Sequence, residues 1–297
     1  MKPVDRMMSF AGPCQSLAIR HQPGQPGMPR LLCVHGWLDN LESFTPLLRH
    51  LNDYEVVSFD LPGHGLSSHI DGSQLTYDFW QGPLAVEYLR AALGWERFTL
   101  VGHSLGGVVG TLYAAAWPSH LNGLITIDAL GLLSETAEDA AKRWRRFAHL
   151  HKAIHPPKEI EVSFTRLMNA RIAKTPMPFA DCERILRRNT VPVQNESHEN
   201  HDIVRFVSDP RLRIPTALRP TEEQVLSIIR SIEVPTHFLY GTHGFLQTSP
   251  WWHDRMKAWP HLTSNAIEGG HHTHLDNPEQ CARHIQEFIG TLKISKG

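Results

Sequence analysis

The chain lacks several features that would each have suggested a function. No apolar run is long enough to span a bilayer. The longest small and apolar stretch, Gly106 to Ala116, falls short of the roughly 20 residues a membrane helix needs, and reads better as a buried helix. The opening Met1-Lys2-Pro3-Val4-Asp5-Arg6 carries an acid and leads into no apolar segment of signal-peptide length, so neither export nor stable membrane insertion is expected. Charge of one sign is also missing. The 29 Lys+Arg and 30 Asp+Glu leave a net −1, which gives no basic footprint for nucleic acid. Cysteine is scarce, and Cys14, Cys33, Cys182 and Cys281 stand far apart without paired spacing, as reduced buried thiols in a cytoplasmic protein would.

Histidine, by contrast, is abundant, with 20 in 297 residues and the densest group at His271-His272-Thr273-His274. A metal centre would need several ligands aimed at one point, and no Cys or carboxylate cluster accompanies these three in sequence. Catalytic or solvated imidazoles are the expectation, with no metal and no organic cofactor. The length suits one elaborated domain.

From Arg30 onward, short apolar runs alternate with longer helical patterns, as in a mostly parallel sheet covered by helices on both faces. The spacing predicts strands at Leu31–His35, Val56–Asp60, Phe98–Gly102, Leu124–Asp128, His237–Gly241 and Ser264–Ile267. It predicts helices at Leu41–Leu51, Tyr77–Leu93, Leu105–Ala116, Pro250–Trp259 and Pro278–Leu292. Met7–Phe10 and Ser16–Arg20 suit an antiparallel hairpin at one edge. Between about Gly131 and Arg230 the alternation gives way to a helix-rich, proline-punctuated block with 17 Lys+Arg against 13 Asp+Glu. It reads as an insertion: residues 1–130 and 231–297 form the core and residues 131–230 a helical cap. The positive excess points weakly to anionic substrates. Within the block, Ala140–Ala153 is expected to turn Trp144, Phe147 and Leu150 inward, with Arg143, Arg145 and Arg146 opposite.

The chemistry centres on Val101-Gly102-His103-Ser104-Leu105-Gly106-Gly107, between a predicted strand and a predicted helix. A serine lifted onto such a strained turn leaves no room for side chains two residues before or after it, and Gly102 and Gly106 meet that demand. The turn also sets the Leu105 N–H at a helix N-terminus, where it can face a developing oxyanion. A serine hydroxyl needs a base, and the base needs an orienting group. His271, directly after Gly269-Gly270, is the expected base, with His272 and His274 as competitors. The loop after His237–Gly241 is the usual place for the acid, yet Gly241-Thr242-His243-Gly244-Phe245-Leu246 holds none. Asp128, ending the strand one earlier, is the candidate; the alternative is that it only caps the inserted block. Asp60 precedes the serine and is assigned a bracing role. The second oxyanion donor is expected in His35-Gly36-Trp37-Leu38-Asp39-Asn40, at the N–H of Trp37. Trp37, Leu105, Trp144, Phe147, Phe164 and Phe245 are candidate pocket-lining residues.

H-G-W-L-D-N, D-L-P-G-H-G-L-S, G-H-S-L-G-G and G-G-H-H-T-H-L-D-N-P stand in this order from His35 to Pro278. With them, the chain resembles the α/β-hydrolase superfamily, most closely its serine hydrolase-like branch. The resemblance implies an eight-stranded sheet, a cap inserted after the sixth strand and a cofactor-free serine triad. Related dehalogenases and epoxide hydrolases use an aspartate at the position of Ser104, so their carboxylate-nucleophile chemistry is disfavoured here. The expected reaction is acyl transfer on an ester or related carbonyl of a small-molecule substrate. Two alternatives are carbon–carbon bond hydrolysis of a diketone on the same triad and a non-catalytic ligand-binding member of the fold. Oligomeric state, a homodimer included, stays open.

Overall fold

The computed structural model describes residues 3–10, 15–25, 27–71, 76–154, 160–193, 202–244 and 246–293. In chain order the strands are β1 (Val4–Ser9), β2 (Ser16–Gln22), β3 (Arg30–Val34), β4 (Glu55–Phe59), β5 (Phe98–His103) and β6 (Leu121–Ile127). They continue as β7 (Glu161–Ser163), β8 (Thr190–Pro192), β9 (Ile203–Phe206), β10 (Thr236–Gly241) and β11 (Leu262–Ile267). Eight of these form one sheet in the order β1-β2-β4-β3-β5-β6-β10-β11. β1 pairs antiparallel with β2, and β2 with β4. The pairings from β4 to β11 are parallel.

Central strands covered by helices on both faces should be apolar on both, and successive residues should point to opposite sides. Leu32, Val34, Leu100, Leu124 and Phe238 accordingly join one buried cluster. Their neighbours Leu31, Cys33, Val101, Ile125 and Leu239 join another across the sheet. Helices Gly82–Ala92 and Leu105–Ala116 close the first face through Val86, Leu89, Val109 and Tyr113. Helix Pro278–Thr291 closes the second through Cys281, Ile285 and Phe288.

Two predicted helices begin differently from the periodic pattern, for a common reason. Leu41–Leu51 divides into a 3₁₀ turn at Leu41–Phe44 and one short α turn at Thr45–Leu48, where Pro46 occupies the first turn. Tyr77–Leu93 likewise begins as the 3₁₀ turn Phe79–Gln81, and its α-helix starts at Gly82 with Pro83 next. Proline lacks an N–H and is tolerated only in a helix's first turn, so each proline restarts the helix.

After β6 the chain forms helices Ala140–Ile154, Phe164–Lys174 and Phe179–Asn189, together with a small antiparallel sheet ordered β7-β9-β8. Those strands are three or four residues long, too short to leave a period-2 trace. Helix Glu222–Arg230 behaves differently from the others in this block. Its Val225 and Ile229 enter the core cluster that holds Val109 and Leu130. No helix among the described residues is long and apolar enough to cross a membrane.

Candidate active site

Ser104 sits between β5 and helix Leu105–Ala116 with φ 50° and ψ −114°, a conformation disfavoured for a non-glycine residue. Its neighbours explain how the turn is held. A Cβ on Gly102 would stand 2.2 Å from the Gly106 carbonyl oxygen, and one on Gly106 would stand 1.8 Å from that of Val34. Both contacts are with backbone, so neither can yield to a side chain. The Ser104 N–H donates to the Ile127 carbonyl at 2.9 Å, tying the turn to the end of β6. Leu105 is the first residue of the helix, where an N–H has no intrahelical acceptor. The loop after β3 closes in from the other side, since a Cβ on Gly36 would lie 3.3 Å from the Ser104 Cβ. Trp37 is the next residue, and its indole N–H donates to the Leu212 carbonyl at 2.9 Å.

His271 follows β11, and its Nδ1–H donates to Asp128 Oδ2 at 2.5 Å. Asp128 directly follows β6 in a left-handed conformation with φ 46°, buried to 2% exposure, and its own N–H donates to the Leu239 carbonyl on β10. Its second oxygen receives the Gly241 N–H at 3.4 Å. A charge taken out of water needs such partners. Ser104, Leu105, Asp128, His271 and Trp37 all border one cavity of about 550 Å³, within the usual range for small-molecule sites.

The alpha/beta hydrolase fold profile matches residues 29–278. The chain belongs to the α/β-hydrolase fold family. Its sequence relatives place it on the serine hydrolase-like branch. A serine hydrolase-like protein of Danio rerio is 28% identical over 279 residues, covering 87% of this chain and 81% of that one. A probable serine hydrolase of Drosophila melanogaster is 28% identical over 274 residues, covering 87% and 80%. Among solved structures, a hypothetical protein from Pseudomonas aeruginosa PAO1 superimposes with a TM-score of 0.83 at 28% identity, covering 96% of this chain and 98% of that one.

In this α/β-hydrolase the acid-free loop after β10 lies directly over Asp128. A Cβ on Gly244 would stand 3.1 Å from Asp128 Oδ1. A carboxylate at 244 would therefore confront the one at 128, so the two positions exclude each other. Asp60 braces its loop, taking the N–H groups of Leu41 and Leu66, each at 2.9 Å, and the guanidinium of Arg188.

The other histidines of the motif turn away from the cavity. His272 and His274 are buried with His103, whose ring centroid lies 4.8 Å and 4.3 Å from theirs. His103 Nε2–H donates to the His271 carbonyl at 3.0 Å, so this buried histidine cluster supports the loop that carries His271. Sequence reasoning missed a carboxylate here. Asp39 Oδ2 approaches His272 Nε2 at 3.4 Å, and ligand atoms of Asp39, His103 and His272 come within 4.8 Å of one another. Arg171 of helix Phe164–Lys174 pairs with the other Asp39 oxygen, so the carboxylate's charge is already matched. Burial opposes ionisation of Asp39, but Arg171, the His272 hydrogen bond and His103 together hold its carboxyl well below the usual range. Burial likewise keeps His103 neutral far below its ordinary range and lowers His274 to about 3.

Other predicted lining residues lie elsewhere. Trp144 and Phe147 stack on each other, 5.3 Å between centroids, and do not border the cavity; Trp144 is 54% exposed. The expected inward face of helix Ala140–Ile154 is thus reversed, because Arg143 and Arg146 of the same helix border the cavity instead. Phe164 packs against the Met168–Cys182 cluster, under the Arg187 guanidinium. Phe245 lies outside the described residues. Arg213 and Arg219 also reach the cavity; the only sequence trace of them is the positive excess of the 131–230 block.

Proposed function

We propose that this chain is a serine hydrolase that transfers an acyl group from an ester or related carbonyl substrate to water. Ser104 Oγ attacks the carbonyl carbon. His271 Nε2 takes the serine proton and later returns it to the leaving group. Asp128 holds the Nδ1–H and so fixes the tautomer in which Nε2 carries the lone pair that acts as the base. The backbone N–H groups of Trp37 and Leu105 receive the developing oxyanion. Water then attacks the acyl-enzyme with His271 again as base. The 131–230 block serves as a cap over the small-molecule site, and its Leu212 carbonyl, which accepts the Trp37 indole N–H, is one of its contacts beside the nucleophile.

The observation that carries this reading is the His271–Asp128 hydrogen bond, at the wall of the cavity that the strained Ser104 also borders. The serine hydrolase-like relatives support the same reaction class. Cys33, Cys182 and Cys281 are unpaired and buried, which supports a reducing, cytoplasmic setting.

The test is labelling with a fluorophosphonate, the adduct being located by peptide mass spectrometry, together with turnover of 4-nitrophenyl butyrate. Wild type should be labelled on Ser104. Ser104→Ala should keep its melting temperature and lose label and at least about 10³-fold in kcat/KM. Retained turnover in that folded variant would sink the assignment.

A further inference from the structure

Arginines bordering the cavity outnumber the acids that pair with them. Five border it: Arg143, Arg146, Arg213, Arg219 and Arg255. Arg255 is spent on structure. It is fully buried, stacks on Trp251 and donates to Glu222, Ser134 Oγ and the carbonyls of Leu130 and Leu132. Arg143 pairs with Glu135. Among the described residues, Arg146, Arg213 and Arg219 pair with no carboxylate.

These three are brought together by two separate segments. Arg146 stands one helical turn after Arg143, so both share a face of helix Ala140–Ile154. Arg213 follows Leu212, whose carbonyl is held by the Trp37 indole beside the nucleophile, and its guanidinium lies over the Phe206 ring at 4.7 Å. Arg219 meets Arg143 and Arg146, with only Glu135 to offset them. Burial lowers Arg219 from the usual guanidinium value and the two neighbouring arginines lower it further, while burial alone lowers Arg213. Arg219 is thus repelled by Arg143 and Arg146, while Arg213 borders the same cavity at the cost of burial alone; an oxyanion relieves both costs through fork-shaped, charge-assisted hydrogen bonds. Two carboxylates also border the cavity: Asp128 holds His271, while Asp78 caps the turn Phe79–Gln81, its Oδ1 buried with no hydrogen-bond partner among the described residues.

We propose that Arg146, Arg213 and Arg219 form an anion subsite, so that the substrate cleaved at Ser104 carries a carboxylate or phosphate group away from its scissile carbonyl. The inference rests on the serine hydrolase reading for the cleavage step, but the binding step can be read without it.

Two measurements separate the two claims. In the first, kcat/KM is compared for 4-nitrophenyl hydrogen glutarate and neutral 4-nitrophenyl butyrate, each corrected for its hydroxide rate. Wild type should prefer the anionic ester by at least about tenfold at low salt, a margin within reach of one charge-assisted hydrogen bond. Arg146→Gln should reduce that ratio several-fold. The triple variant R146Q/R213Q/R219Q should bring it to about one. A ratio near one in wild type, or a ratio that the variants leave unchanged, overturns the subsite. Because Arg146 is exposed, its single substitution keeps the test open should the triple variant fail to fold.

The second measurement is calorimetric binding of glutarate, glutaramide and inorganic phosphate to Ser104→Ala. Glutarate or phosphate should bind at least about tenfold more tightly than glutaramide, and R146Q should weaken that binding. The tighter of the two names the anion as carboxylate or phosphate. Glutaramide binding as well as both would overturn the proposal. If neither ester turns over yet glutarate binds and R146Q weakens it, the serine chemistry fails and the subsite stands.

Discussion

The two sides of the Ser104 turn are built from the same kinds of residue for opposite ends. In front, His271 and Asp128 stand at the wall of a cavity bordered by arginines. Behind, His103, His272, His274 and Asp39 are sealed from water. The front pair consists of one imidazole and one carboxylate, joined at Nδ1 and bordering the same cavity as Ser104. In the rear group Arg171 matches the carboxylate, and burial keeps the His103 and His274 rings neutral. A histidine's role here is decided by which side of the turn its Cβ leaves from, since His271 and His272 are adjacent in sequence and serve different sides.

That contrast can be broken most forcefully by exchanging acids for amides. Asp128→Asn should lower kcat with an aryl ester by about 10³–10⁴-fold with a small change in melting temperature. Asp39→Asn should do the reverse. Because it leaves Arg171 beside an uncharged amide, it should cost about 3 kcal/mol in denaturant unfolding and change kcat by less than about tenfold. Similar losses of activity in both variants would erase the distinction between the sides.

Next in size is the turn itself. Gly106→Ala drives a methyl into the Val34 carbonyl and should destabilise by more than about 3 kcal/mol, measured by urea unfolding or lost soluble yield. Gly94→Ala is the control, since a Cβ there meets nothing within 4 Å. Its only cost should be that of a side chain at φ +66°, about 1 kcal/mol.

A smaller effect follows from pH. Burial lowers His35 to about 4 and His64 and His274 to about 3, all below the ordinary value of 6.5. The folded state refuses protons that the unfolded chain accepts. This contribution is therefore fully present above about pH 6.5 and is lost as pH falls from there toward the folded values. The slope should approach about 1.4 kcal/mol per pH unit for each imidazole, read as unfolding free energy between pH 6.5 and 4.5. A flat profile across that window would contradict neutral burial.

The smallest and sharpest test relocates the acid. Gly244→Asp in the Asp128→Asn background should restore on the order of tenfold of the lost kcat, because position 244 faces the same carboxylate site. Gly244→Asp in the native background should instead slow the enzyme, as two carboxylates would then compete for one site.

The core's strands were legible because buried parallel strands repeat Leu, Ile and Val at a length that composition reveals, and helix Leu105–Ala116 was bounded by its glycine-rich start. The elbow was legible because only glycine fits beside it. The β7-β9-β8 sheet was not, since three-residue strands leave no period. Trp144 and Phe147 misled because an apolar stripe on a helix names a face without naming its partner. They stack on each other at the surface, while Arg143 and Arg146 take the cavity side. Asp39 was visible in its motif, but its meeting with His103 and His272 joins three segments distant in sequence.

By itself, then, the sequence determined what local sterics and periodicity control: the strand–turn–helix at Ser104, the two glycines it requires, and the order of motifs that marks the α/β-hydrolase fold. Tertiary structure decided the rest. It brought Asp128 to His271 across β10, put Gly244 over that carboxylate, buried two of three neighbouring histidines, and gathered unpaired guanidiniums from separate segments at one wall. The physical reason is range. Backbone sterics act over a few residues, whereas charge pairing and burial depend on partners a hundred or more residues away.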